Sequence, residues 1–68
     1  MKISARNQLA AKVVAINRGA AVANVELEVA GQRLIASITV EAVDELGLAP
    51  GSEVVAVIKA SDVMIAAS

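Results

Sequence analysis

Apolar and polar residues along this chain alternate at the spacing of strands, with turn signals between the runs. The clearest case is residues 21–29, where Val25, Leu27 and Val29 alternate with Asn24, Glu26 and Glu28. A period of two is the pattern of a strand buried on one face. Residues 3–17 form a first strand candidate. Leu9, Lys12, Val13, Val14 and Ile16 suit an extended segment better than a helix, and no capping signal interrupts them. Asn17-Arg18-Gly19 closes this run as a turn. Ala30-Gly31 reads as a tight hairpin turn, and residues 32–39 as the returning strand.

From Thr39 to Gly47 the pattern changes. Thr39 is placed as an N-cap, Glu41 sits in the first turn, and Gly47 ends the segment as a C′ glycine. Val43 and Leu46 fall on one helical face. A short helix or 3₁₀ turn is predicted here. Leu48-Ala49-Pro50-Gly51 suits a type II turn, with proline followed by glycine. Residues 53–59 are a mostly apolar strand, Ala60-Ser61-Asp62 breaks it, and Val63–Ala67 is predicted as a final short strand. Met64 reads as a core filler and Met1 as an initiator. Five strands with one small helix between the third and fourth is the layout of an all-β, OB-like Greek-key barrel. The chain has too few helices for the crossovers of a parallel α/β sheet.

Composition narrows the picture. With 68 residues the chain forms one domain at most, and 57% of them are hydrophobic. A chain of about 60 residues buries only about 60% of the surface its unfolded form exposes. There is no Cys and no His, so disulfides and the usual metal ligands are excluded. Oligomerisation remains as the way to cover the apolar surface. The same absences remove the commonest general base and the thiolate nucleophile, so an enzyme is not expected. Without Phe, Tyr or Trp there is no platform for base stacking, and a net charge of −1 gives no phosphate-backbone footprint. No nucleic-acid partner is expected. No apolar run approaches a membrane span of about 18 residues, and the polar Arg6-Asn7-Gln8 stands where a signal peptide needs its apolar stretch. A soluble, cytoplasmic protein is the expectation.

Two segments are rich in hydrogen-bond donors. Ser4-Ala5-Arg6-Asn7-Gln8 offers a hydroxyl, a guanidinium and two amides. Lys59-Ala60-Ser61-Asp62 offers an ammonium, a hydroxyl and the backbone N–H groups of an exposed turn, the makings of an anion-binding concavity. Taken singly, a solvated terminus and a lysine-guarded turn explain them better. Together they supply donors without a nucleophile–base pair, which suits a small oxyanion and not a reaction. Glu26, Glu28, Glu41, Asp44, Glu45, Glu53 and Asp62 fit solvated faces better than acid–base pairs.

Ser4-Ala5-Arg6-Asn7-Gln8-Leu9, Leu46-Gly47-Leu48-Ala49-Pro50-Gly51 and Val57-Ile58-Lys59-Ala60-Ser61-Asp62-Val63-Met64 closely resemble the molbindins, small Mop-domain proteins that bind molybdate and tungstate. The resemblance covers essentially the whole chain, residues 1–68, as a single Mop domain. It implies an OB-like barrel assembled as a hexamer, a trimer of dimers, with oxyanion sites between subunits and a role in intracellular molybdenum storage and homeostasis. The alternative it leaves open is an oligomerisation or regulatory accessory module of a molybdate transport or regulation system. Ser4 and Arg6 correspond to one half of the oxyanion site. Lys59, the backbone of Ala60 and the hydroxyl of Ser61 correspond to the other. Thr39 matches a threonine of the related regulators, but the serine three positions later is here Ala42. A second type of site near symmetry axes maps to Arg18, Gly19, Ala21 and Val22, although Asn24 stands where an acidic residue is frequent. The implied ligand is molybdate or tungstate as an intact oxyanion, with no metal directly ligated by protein.

Overall fold

A computed structural model describes residues 2–68; Met1 lies outside the described residues. The chain order is β1 (Asn7–Arg18), β2 (Val22–Val29), β3 (Gln32–Thr39), α1 (Val40–Glu45) and β4 (Glu53–Ile58), followed by a 3₁₀ turn at Ala60–Asp62. All pairings are antiparallel, and the sheet order is β3-β2-β1-β4. β1 is the hub. Its first half pairs with β4, from Asn7↔Ile58 to Lys12↔Glu53, and its second half with β2, from Lys12↔Glu28 to Arg18↔Ala23.

The register slips between Val13 and Ala15, a β-bulge. Val13 is left facing the core at 1% exposure, while the adjacent Val14 is exposed. A bulge bends the strand and sharpens its twist, which lets β1 serve two partners. Val13 stays hydrogen-bonded at the bend: its N–H donates to the Ser52 carbonyl, and its own carbonyl accepts from Gly51 N–H at 2.8 Å. The turns follow their residues. Ala30 and Gly31 both have positive φ, the requirement of a type I′ hairpin. Gly51 has φ +96° after Pro50, and Ser52 N–H donates to the Ala49 carbonyl at 2.9 Å, closing the expected type II turn. Thr39 caps α1, its hydroxyl oxygen accepting from Ala42 N–H at 3.0 Å, and Gly47 follows the Leu46 C-cap with φ +62°.

The core is small: Ala11, Val13, Ala23, Val25, Leu27 and Val43. Leu34, Ala36, Ile38, Val54 and Ala56 pack around it half-buried.

Four expectations are corrected. The described residues form four strands, not five. Val63–Ala67 runs on after the 3₁₀ turn without pairing to any strand among the described residues. Met64, expected in the core, belongs to this segment and is 93% exposed. Strand β1 begins at Asn7 and not at Ile3, since its partner β4 ends at Ile58 and leaves residues 3–6 without a ladder. The expected turn at Asn17–Gly19 also lies two residues later, because Asn17 and Arg18 still pair with Asn24 and Ala23.

With the fifth strand missing, a gap remains between the two edge strands. Leu34, Ala36 and Ile38 of β3 and Val54, Ala56 and Ile58 of β4 line an apolar cleft of about 670 Å³, with Asp62 and Val63 also in its wall.

Candidate functional site

The first cluster is built at one end of the β1–β4 ladder. Asn7↔Ile58 is its last rung. One residue further on, at the ends of the two strands, stand Arg6 and Lys59, both exposed. The register brings the two donor-rich motifs, more than fifty positions apart in sequence, to the same end of the β1–β4 ladder, where pairing stops and both segments leave the strand. The Gln8 side-chain amide donates to the Ala5 carbonyl at 3.1 Å and braces the incoming segment. Lys59 opens the 3₁₀ turn in an extended conformation without a side-chain capping bond, and its carbonyl accepts from Asp62 N–H at 2.9 Å. The Ala60 and Ser61 N–H groups make no hydrogen bond among the described residues.

Charge at this end is uncommitted. The two ion pairs among the described residues are Arg18–Asp44 at 2.6 Å and Arg33–Glu26 at 2.9 Å. Neither involves Arg6 or Lys59. Among the described residues Arg6, Lys59 and the Ser4 and Ser61 hydroxyls have no protein acceptor, and all four residues are exposed.

Thr39 stands elsewhere. It pairs with Val22 at the far end of β2, beside the end of β1 that carries Arg18. A strand of 12 residues spans up to roughly 40 Å at about 3.3 Å per residue when straight, so even a bent β1 holds its two ends well apart. One copy of the chain does not bring Thr39 to Arg6 and Lys59. The Thr39 oxygen accepts the helix-capping bond from Ala42, which uses a lone pair and leaves its O–H proton free to donate.

Thr39 instead joins the second cluster, in a shallow depression lined by Ala20, Ala21, Thr39, Val40, Glu41 and Asp44. Gly19 N–H donates to the Val22 carbonyl at 2.8 Å, and Val40 N–H to that of Ala21 at 2.9 Å. Gly19 is tight here: a Cβ would lie 2.8 Å from the Val22 carbonyl oxygen. The sequence-based second site is therefore contiguous, but its parts are engaged. The Arg18 guanidinium is held by Asp44, the Gly19 N–H is used, and two carboxylates border the depression. Asp44, 26 residues from Arg18, is a partner that local sequence pattern does not reveal.

The described residues form a small antiparallel domain with one short helix, and the donors at its β1–β4 end lie outside the two ion pairs. The pattern of the TOBE domain matches residues 3–65. Molybdenum-pterin-binding protein 1 of Clostridium pasteurianum is 53% identical over 68 residues, covering 98% of this chain and 100% of that protein. Among solved structures, a molybdate binding protein from Sporomusa ovata superposes with a TM-score of 0.94 at 39% identity, covering 98% of this chain and 100% of that one. MopII from Clostridium pasteurianum gives 0.90 at 48% identity, covering 97% and 100%. The chain belongs to the TOBE domain family and, within it, to the Mop proteins, the molbindins.

Proposed function

We propose that this chain binds molybdate or tungstate as intact oxyanions, at sites completed between copies of itself, and serves as a cytoplasmic molybdenum reserve. The observation that supports the reading is that Arg6 and Lys59 are the next residues on the two strands after the Asn7–Ile58 rung, near in sequence to Ser4, Ser61 and the Ala60 and Ser61 N–H groups, which make no hydrogen bond among the described residues. Molybdate is a tetrahedral dianion whose oxygens only accept hydrogen bonds. Two cations and several neutral donors match it, and no protein atom need bond to the metal. The names of the relatives point the same way.

Those names also raise a pterin. A pterin ring is flat and calls for stacking partners, and this chain has no aromatic residue. The cleft between β3 and β4 is walled almost wholly by aliphatic groups, with Ser37 and Asp62 as polar exceptions. The bare oxyanion is the better match.

Three observations support assembly. The site at the β1–β4 end is open, and Thr39, the remaining hydroxyl that the family likeness assigns to it, lies at the other end of the molecule. Val14, Val22, Val55 and Val57 are exposed on the sheet's outer face, more apolar surface than a small monomer ordinarily leaves to water. The cleft is open while Val63–Ala67, the chain's own apolar strand-former, is unpaired, with Ile65 92% exposed. Two copies exchanging these segments would fill both vacancies by a two-fold contact, as in domain swapping. A hexamer built from such dimers is the assembly we favour.

Titration calorimetry with sodium molybdate tests the function: saturable binding, competed by tungstate, is expected. Absence of heat and of retained molybdate after dialysis would remove the proposal.

A further inference from the structure

We infer that Gln8 is a positioning residue: from a fixed rung of the β1–β4 ladder its side chain holds the Ala5 carbonyl and thereby presets Arg6 for an anion. The inference rests on the oxyanion reading above and adds to it a residue that the reading does not use.

The backbone of Gln8 is fixed. It pairs with Val57, one rung inside the Asn7–Ile58 end of the ladder. Residues 3–6 have no rung, and the chain bends at Ser4 and again at Arg6. Among the described residues, one hydrogen bond outside the ladders reaches this segment. It runs from the Gln8 side-chain amide to the Ala5 carbonyl, at 3.1 Å.

That bond acts on Arg6 from the side the ladder leaves free. The Ala5 carbonyl belongs to the peptide unit that ends in the Arg6 nitrogen, and this unit is planar. Holding its oxygen therefore orients the Arg6 N–H as well. On the other side Asn7 is held by its pairing with Ile58. The Arg6 backbone is thus fixed twice, by the hooked peptide before it and by the paired residue after it. Without the Gln8 amide, rotation on the leading side is limited by sterics alone.

Stability gives little reason for such a bond. Gln8 is exposed, and water competes for both partners, so the net contribution is small. Opposite Val57 a β-branched residue would suit the strand better. The bond matters where the order of Arg6 matters. Arg6 is exposed and, among the described residues, in no ion pair. A long side chain on a swinging backbone loses much entropy when it closes on a ligand, and a backbone fixed beforehand reduces that cost. The side chain's length and chemistry both count. Asparagine is one methylene shorter, and glutamate turns an acceptor towards the carbonyl and adds negative charge.

The test compares ¹⁵N-labelled wild-type protein with Gln8→Leu and Gln8→Glu. In ligand-free samples the heteronuclear NOE of the Arg6 amide reads its order on the picosecond-to-nanosecond scale, with the Lys59 amide as internal control. Both variants should lower it at Arg6 and leave Lys59 unchanged. Calorimetric titration of Gln8→Leu with sodium molybdate should then show an affinity loss of about three- to tenfold, the scale of one net hydrogen bond, at an unchanged denaturation midpoint. Wild-type order at Arg6 in both variants overturns the inference. Lowered order with wild-type affinity also overturns it, as does an affinity loss matched by an equal loss of stability. Each of these results leaves molybdate binding by the wild-type protein standing. Wild-type protein that binds no molybdate overturns the oxyanion reading, and the inference with it.

Discussion

Asn7 and Ile58 face each other across the last rung of the β1–β4 ladder, and Arg6 and Lys59 are the next residues on the two strands, both exposed. Two cations at one strand end favour an anion between them. Among the described residues neither is in an ion pair, whereas Arg18 is paired with Asp44 and Arg33 with Glu26. The dianion proposed above is assigned to this end on that ground.

Arg6→Ala and Lys59→Ala should each weaken molybdate binding severely, by about 2–5 kcal/mol where the charge is desolvated on assembly. Arg33→Ala should change it little, because its guanidinium serves Glu26 on an exposed sheet face. Calorimetric titration of the three variants compares them directly. Equal, small losses in all three would indicate diffuse attraction without a defined site.

Thr39 separates stability from binding. Thr39→Val removes both the cap acceptor and the hydroxyl, and should lower stability by about 0.5–2 kcal/mol. Thr39→Asp keeps a capping oxygen for the Ala42 N–H but places negative charge where an oxyanion would lie. Its denaturation midpoint should stay close to wild type while its molybdate affinity falls. Intact binding in Thr39→Asp would exclude Thr39 from the site.

The anion itself should be selected by proton count and size. Near neutral pH phosphate carries a proton that needs an acceptor, and Arg6 and Lys59 offer only donors. An unpaired buried P–OH costs roughly 1–3 kcal/mol, softened where a serine or threonine hydroxyl rotates to accept. Sulfate has no such proton but is smaller, so donors spaced for molybdate do not all reach it. Competition titrations should rank molybdate and tungstate together, with sulfate and phosphate far weaker. Displacement of molybdate by phosphate at comparable concentration would contradict the donor-only pocket.

Two turn substitutions should act in opposite directions. At Gly51, with φ +96° and no atom within 4 Å of an added Cβ, alanine meets backbone strain alone, about 1–2 kcal/mol. At Ala30, with φ +49°, glycine relieves such strain and returns part of it as unfolded-chain entropy. Ala30→Gly should therefore stabilise by up to about 1 kcal/mol. Denaturant midpoints read both, at unchanged m-value.

Local chemistry made much of this fold legible. Thr39, Gly47, Pro50-Gly51 and Ala30-Gly31 each dictate a backbone geometry within a few residues, and the structure has each of them. The even alternation around Val25 and Leu27 fixed which face is buried. The Val13-Val14 pair hides a bulge, because two adjacent valines fit a continuous apolar run as well as a register slip. Val63–Ala67 has the residues of a strand, but a strand also needs an edge, and sequence does not say which chain provides it. For the site, the pairing of β1 with β4 puts both donor-rich motifs at one end of the sheet, and their joint role is the proposal made above. The separation of Thr39 from them, and the capture of Arg18 by Asp44, depend on register and on contacts across 26 residues, which no local pattern encodes.

The central claim is that copies of this chain assemble and hold oxyanions between them. Native mass spectrometry of the purified protein, with and without molybdate, measures subunit number and bound ions together. The account predicts an even-numbered oligomer, a hexamer in the form favoured here, that gains molybdate only in the assembled species. A folded monomer at micromolar concentration that binds molybdate by itself, or an oligomer that takes up none, would contradict it.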